Sequence, residues 1–352
     1  MIALYLASMD EAAGKSALCV ALGRIFKARG LKVGYLKPVA IVAEKVDASD
    51  KDIEFIKQTL ALEEPVELLC PVSISAKDFL ATANEKEPTW LKKAEDAYAR
   101  VSQGKDVILL EGVSDFKAGN SPALAGRRTV EALRAKAILI ASYESNLKAS
   151  QIVDAAKALA GHLQGVVINA VPMRRMDSVK ATLVKSVQQA GIRVLGTLPE
   201  DRTLLTVSVG ELAEHLGGNI ITSPERSDNL VESVMVGAMS PDPAVSYLSL
   251  KQNKAVVTRG DRPDIQLAAL QTSTSCLVLT DNINQPLPTI LSLAKTTKVP
   301  IIIVKNDTMH TMEALEAIFD KAKLSHEWKV ERLEQLLEQH LDLESIYKAA
   351  KP

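Results

Sequence analysis

Near the start of the chain, Ser8-Met9-Asp10-Glu11-Ala12-Ala13-Gly14-Lys15-Ser16 closes on a Gly-Lys-Ser triplet between an apolar run, Ile2–Ala7, and a helical pattern, Lys15–Arg29. A strand that turns through such a triplet into a helix makes a phosphate site. The first backbone N–H groups of the helix point at the ligand and the macrodipole favours its charge. Lys15 adds a point charge beside the β- and γ-phosphates, and the Ser16 hydroxyl can ligate Mg²⁺. The competing reading is a plain helix N-terminus. The glycine that usually opens such a loop is absent; Ser8 or Met9 stands at its place, which changes how closely backbone can approach a phosphate.

Three further residues are positioned to join this chemistry. Glu111 ends the apolar strand VILLEG, at the carboxyl edge where open α/β sheets bind ligands, and Asp52 opens the helical segment DKDIEFIKQTL. A hard Mg²⁺ takes one or two carboxylates together with phosphate and water, so both are candidate metal ligands beside Ser16. Asp52 reads equally as a charge complementing a helix dipole. Lys37 closes its strand at the same edge, where it reaches a phosphate or a carboxylate, or else snorkels to solvent.

The elements that must hold these residues alternate from the first residue onward: strand Ile2–Ala7, helix Lys15–Arg29, strand Leu31–Lys37, helix Asp52–Leu62. This is the βαβ pattern of a parallel sheet. Apolar strands follow at Val107–Glu111, Ala137–Ala141, Val166–Asn169 and Val194–Leu198, with helices at Val130–Ala135, Ser150–Ala160 and Met176–Ala190. Strands apolar on both faces belong to a sheet covered by helices on each side. Pro199 and an acidic turn break the pattern at about 200–208. A second alternation follows, in which strands Ala255–Thr258, Cys276–Thr280 and Ile301–Val304 are interleaved with helices Asp264–Leu270, Thr289–Lys295 and Met309–Asp320. The expected organisation is a doubly wound P-loop domain at 1–204, a smaller α/β domain at 205–325 and one C-terminal amphipathic helix at 326–352 carrying Val330, Leu333, Leu337 and Leu341.

Composition removes several classes of function. The 352 residues carry 42 Lys+Arg against 43 Asp+Glu, too balanced for a nucleic-acid or membrane-surface protein, and aromatics at 4% supply few stacking platforms. No basic leader and no apolar run of about 18 residues is present, which reads as a cytoplasmic protein. Cys19, Cys70 and Cys276 sit in apolar stretches and read as buried core thiols. The five histidines lack zinc-binding spacing and no G-x-S-x-G elbow occurs. Arg259, Asp261, Arg262 and Asp264 bunch between a strand and a helix, where they either bind phosphate or pair with one another.

The segments DEAAGKS, GYLKPVA, VILLEG and GVVINAVP, in this order, resemble the dethiobiotin synthetase family, whose P-loop α/β fold uses Mg-ATP. Taken whole, roughly residues 1–325 resemble the non-catalytic N-terminal part of long bacterial phosphotransacetylases, a dethiobiotin-synthetase-like domain followed by a DRTGG domain. Val256–Leu270 carries the second resemblance, with Gly260, Asp261 and Arg262 in place and Pro263 where the name-giving threonine stands. The resemblance implies that Gly14, Lys15, Ser16 and Lys37 bind nucleotide, that Asn169 lies near its base, that Ser16, Asp52 and Glu111 hold Mg²⁺, and that the chain forms a homodimer. It also implies no biotin synthesis, because Ile41 and Val113-Ser114-Asp115 replace the small hydroxyl and glycine positions that hold the diamine and its carbamate. Without the catalytic phosphotransacetylase domain, acetyl transfer is not expected of this chain alone. The expected function is an Mg-nucleotide-binding regulatory or adaptor protein, ATP its nucleotide, acting on its own domains or a protein partner. The alternatives are an ATPase or ATP-dependent ligase, and a dimerisation protein with a degenerate loop.

Overall fold

The computed structural model describes the chain apart from residues 11–12, 43–47, 83–84, 86–87, 118, 160, 282–285, 321–325 and 351–352, and apart from the side chains of 42, 48–51, 320 and 349–350. The chain divides into two units, Met1–Asp201 with Leu324–Pro352, and Arg202–Lys323.

Among the described residues, the first unit has β1 (Ile2–Ser8), β2 (Val33–Leu36), β3 (Ala40–Val42), β4 (Ser73–Ser75), β5 (Val107–Glu111), β6 (Lys136–Ser142), β7 (Leu163–Val171) and β8 (Val194–Pro199). Six form one sheet in the order β2-β5-β1-β6-β7-β8, every pair parallel, while β3 and β4 pair separately. Because β5 lies on one side of β1 and β6 on the other, the chain reverses its winding at β1. The crevice at the carboxyl ends of β1 and its neighbours is where such sheets take ligands. The strands are apolar on both faces because helices cover both; every residue of β5 is buried.

Several helices depart from expectation, each for a local reason. The helix expected at Val130–Ala135 begins nine residues earlier and spans Ser121–Ala132: Asn120 caps it, its Oδ1 accepting from the Ala123 N–H, and Pro122 occupies its first turn. Asp52 stands one turn inside the Ala48–Thr59 helix instead of at its start. The helix expected over Met176–Ala190 carries a π turn, Lys180–Val184, between Met176–Val179 and Lys185–Gln189. A further helix, Thr89–Val101, shows no clear pattern in the sequence beyond Trp90, Ala94, Ala97 and Val101 on its buried side.

The C-terminal segment forms two helices, Glu327–His340 and Leu343–Ala350, in place of one. Its first helix, with Val330, Leu333 and Leu337 buried, packs against the Lys15–Ala28 helix, where Arg24 pairs with Glu334 at 2.8 Å. Between the two helices, Leu341 bridges Gly196 of β8 and the Asp342 N–H donates to the Leu195 carbonyl at 2.7 Å. The break is therefore a strand-like contact on the sheet edge, which a single continuous helix cannot make.

The second unit holds β9 (Val207–Ser208), β10 (Asn219–Ile220), β11 (Leu230–Val231), β12 (Ser233–Val236), β13 (Lys254–Arg259), β14 (Thr274–Thr280) and β15 (Ile301–Ile303). Its main sheet runs β10-β15-β14-β13-β12, with only β10 antiparallel. One face buries Val256, Leu277 and Leu279 with Leu248, Ile265 and Ile290 of the covering helices; the other buries Val257, Cys276 and Val278 with Leu212 and Leu315. Cys19 and Cys276 are buried as expected, whereas Cys70 is half-buried. Among the described residues, no helix is long and apolar enough to cross a membrane.

A Cβ at Gly196 would run into the His340 carbonyl and the Leu341 side chain. Gly196→Val is expected to displace the C-terminal segment and lower stability by about 1–3 kcal/mol, as other overpacking substitutions do. Hydrogen exchange should rise across 327–350, and a variant with unchanged exchange there would contradict the bridge.

Candidate functional site

The loop after β1 carries the expected triplet. Gly14 takes the left-handed conformation (φ +81°) and caps the Lys15–Ala28 helix; no side chain caps it and its first turn holds no acidic residue. An N-terminus without a side-chain cap or acidic residue is the arrangement that suits an anion. Glu11 and Ala12 of this loop lie outside the described residues. Asn169, near the end of β7, braces the loop: its Nδ2 donates to the Ala13 carbonyl at 3.0 Å while its Oδ1 accepts from the Ala170 N–H. The resemblance places this side chain near a nucleotide base, but here its amide is engaged with backbone on both sides.

Lys15 is buried, and its ammonium donates to Ser8 Oγ at 2.9 Å and Ser114 Oγ at 2.6 Å. Ser8, one of the two residues at the place of the missing glycine, thus serves as an acceptor for the lysine. Ser16 is half-buried, and among the described residues its hydroxyl has no hydrogen-bond partner.

Beside the loop lies a buried charge cluster. Glu111 is 3% exposed, and its Oε1 pairs with Lys37 Nζ at 2.9 Å while its Oε2 accepts from the Tyr35 hydroxyl at 2.7 Å. Burial by itself pushes the Glu111 carboxyl up; the Lys37 charge and hydrogen bond, the Tyr35 hydroxyl and the Lys15 charge more than reverse this and hold it below the usual range. Lys37 is the counterpart: burial works against its charge, but Glu111, helped by Cys70 and Asp52, raises its pKa above the ordinary lysine value. Tyr35 is pushed well up by burial and by Glu111, so it stays protonated and donates. Lys37 is thus an ion-pair partner and not a snorkelling lysine, and Asp52 is near enough to act on it electrostatically.

Both Glu111 oxygens are engaged, which bears on its reading as a metal ligand. Among the described residues no group of three or more His, Cys, Asp or Glu is placed to hold a metal ion. A Mg²⁺ at this edge would take the Ser16 hydroxyl and phosphate oxygens, with Asp52 and Glu111 contributing through water. That donor set of hard oxygens fits the ion.

A cavity of about 10 Å³, room for one water, lies among Tyr5, Pro38, Val39, Trp90, Glu111 and Thr129. Ile41 does not line this cavity and is 41% exposed on β3. In the second unit Arg259 pairs with Asp261 at 2.9 Å and Arg262 with Asp264 at 2.7 Å, so the arginine cluster balances its own charge. Sequence reasoning missed Tyr35 and Ser114 as site residues. Tyr35 sits two residues before Lys37 and is within reach of pattern reading; Ser114 is 99 residues from Lys15, and the sequence marks it only as a departure from the glycines that hold the diamine.

A helix that begins on Gly-Lys-Ser at the switch point of a parallel sheet defines a P-loop α/β domain, here followed by a second α/β unit. Residues 3–207 match the AAA domain family and residues 211–318 the DRTGG domain family. The first match covers more than half of the sequence, and the chain belongs to the AAA domain family. It is similar to the N-terminal part of phosphate acetyltransferases. That of Nitratidesulfovibrio vulgaris is 24% identical over 358 residues, covering 96% of this chain and 50% of its own; that of Pseudomonas putida is 22% identical over 363 residues, covering 97% and 51%. The chain spans about half the length of these curated relatives. An ATP-dependent dethiobiotin synthetase BioD from Methanococcus vannielii is 27% identical over 112 residues, covering 31% of this chain and 50% of its own. Among solved structures, the MinD cell division protein of Aquifex aeolicus shares 16% identity at a TM-score of 0.37, covering 58% of this chain and 85% of its own.

The Glu111 pKa shift gives a signed expectation. A carboxylate lowered on folding stabilises above its unfolded value near 4.3 and loses that contribution as pH falls through its folded value; a lysine raised on folding stabilises below about 10.4 and loses it as pH rises through its folded value. The pair therefore holds across the neutral range. Glu111→Gln should lower stability by up to about 3 kcal/mol at pH 7, since it leaves Lys37 without its counterion. The variant should also lose less stability than the parent as pH drops below about 4. Urea unfolding from pH 3 to 8 checks both, and parallel acid limbs would refute the coupling.

Proposed function

We propose that the first unit binds a Mg-nucleotide, ATP foremost, and that the protein acts as a regulatory or adaptor protein. The observation that carries this reading is the Lys15 ammonium, buried on Ser8 and Ser114 at the start of an uncapped helix. In this reading phosphates lie on the N–H groups of Gly14–Ser16 and Lys15 neutralises them. Lys37 lies on the same edge, its charge balanced by Glu111. Bound Mg²⁺ would screen the phosphate oxygens and fix their orientation.

The likeness to phosphate acetyltransferases supports a regulatory role without assigning their activity to this chain. Nucleotide binding would act by shifting the arrangement of the two units, of a second copy in a homodimer, or of a protein partner. It does so only in proportion to the difference in affinity between the two arrangements. A cytoplasmic site of action belongs to the same proposal. The missing loop glycine and the replacement of the substrate-holding positions by Ile41 and Val113-Ser114-Asp115 disfavour the ligase alternative.

Isothermal titration with ATP, ADP, AMP and GTP, with and without Mg²⁺, followed by phosphate release on the same sample, tests the proposal. Mg-dependent binding without turnover is the expected result; turnover would move the protein to the ATPase class. Lys15→Ala should lower affinity at least 100-fold while leaving the folded spectrum intact, the loss of a buried charge-assisted contact. Unchanged affinity would sink the site assignment.

A further inference from the structure

The two hydroxyls that hold Lys15 are not equivalent. Ser8 Oγ accepts from Lys15 and gives its own proton to the Asp10 carbonyl at 2.6 Å, so its donor is used. Ser114 Oγ accepts from Lys15 at 2.6 Å, and its own proton has no acceptor among the described residues. A hydroxyl whose oxygen already faces an ammonium directs its proton elsewhere. An unused donor beside a buried cation is suited to an anion.

The segment that carries Ser114 is stitched onto β1. The Gly112 N–H donates to the Leu6 carbonyl at 2.9 Å, the Val113 N–H to the Tyr5 hydroxyl at 3.1 Å, and the Phe116 N–H to the Ser8 carbonyl at 2.9 Å. Between them Asp115 is held at φ +55°, in the left-handed region, with Asn120 Nδ2 donating to its carbonyl at 2.6 Å. Ser114 thus sits between fixed points of a segment with one constrained residue.

We propose that Ser114 is a positioning residue for the phosphate site. It orients Lys15 when no ligand is present, and donates its proton to a phosphate oxygen gripped by Lys15 when one is. This rests on the reading of Gly14–Ser16 as a nucleotide site. A phosphate oxygen is an anionic acceptor and competes with the neutral Ser114 oxygen for the ammonium, while the Ser114 proton gains an acceptor it lacked. The segment Gly112–Phe116 therefore has different contacts in the empty and filled states, which is the condition for a ligand to shift it.

Titration calorimetry and hydrogen exchange on the full chain, with Mg-ATP as the probe, test this with Ser114→Ala, Ser114→Thr and Ser8→Ala. In the parent protein the nucleotide should slow exchange at 112–116 and at 16–18. Ser114→Ala should bind about 10-fold more weakly, the loss of one hydrogen bond to a charged group, and should keep protection at 16–18 while losing it at 112–116. Ser114→Thr, which retains the hydroxyl, should restore both. Ser8→Ala should retain the protection at 112–116. Binding by Ser114→Ala equal to the parent, with the same protection, would overturn the proposal alone; so would failure of threonine to rescue. Absence of binding by the parent would instead overturn the nucleotide reading, and this proposal with it.

Discussion

Charge buried at one edge of a parallel sheet is the constraint around which the first unit is arranged. Two lysines and a glutamate meet at the carboxyl ends of β1, β2 and β5, and burial opposes the charge of Glu111 and of Lys37. Each survives because another strand delivers its partner: Lys37 and Tyr35 from β2 and its end reach Glu111 on β5, while Ser8 of β1 and Ser114 after β5 reach Lys15. Such a cluster tolerates little slippage in strand register. A shift of one residue in β5 would turn Glu111 to the other face of the sheet and leave Lys37 and Tyr35 without an acceptor. The apolar runs drive the sheet together, and the polar ends specify which alignment it adopts.

The residue at the start of the loop shows how a missing glycine can be accommodated. Glycine at that point permits close backbone approach to phosphate. Here Ser8 closes β1, and its side chain acts twice, accepting from Lys15 and donating to the Asp10 carbonyl. The left-handed turn is instead concentrated at Gly14, where the Asn169 amide packs against the loop and a Cβ would stand 3.3 Å from its Nδ2. Lys15 is thereby held in place by Ser8 and Ser114, and in the proposed function this would reduce the ordering cost of binding a phosphate.

What was legible in the sequence follows from what is local. Gly14, Lys15 and Ser16 announce themselves by adjacency, and Glu111 and Lys37 by their places at the ends of apolar runs. The alternation of strand and helix in both units follows from periodicity. Less was legible where partners are far apart in the chain. Nothing near Ser114 marks it as a partner of Lys15, and nothing near Asn169 shows that its amide braces the loop at Ala13. The Ser121–Ala132 helix was cut short because Gly126-Arg127-Arg128 interrupts its apolar pattern; Gly126 is there because the Phe116 ring leaves no space for a Cβ.

The C-terminal segment carries the same lesson into energetics. Its leucines at helical spacing give an amphipathic helix, but periodicity cannot say that the chain must stop at Leu341 to meet Gly196 before resuming at Leu343. That contact caps the outer edge of β8, which would otherwise expose unpaired backbone groups. The same segment lays its apolar face on the Lys15–Ala28 helix, where Arg24 pairs with Glu334 and Arg29 with Glu344. The helix whose N-terminus would hold the phosphates is therefore packed by β1 and β5 on one side and by the C-terminal segment on another. Its dipole and its first N–H groups are aimed by residues more than 300 positions away in the chain, so the site's geometry is a property of the whole first unit and not of the loop that signals it.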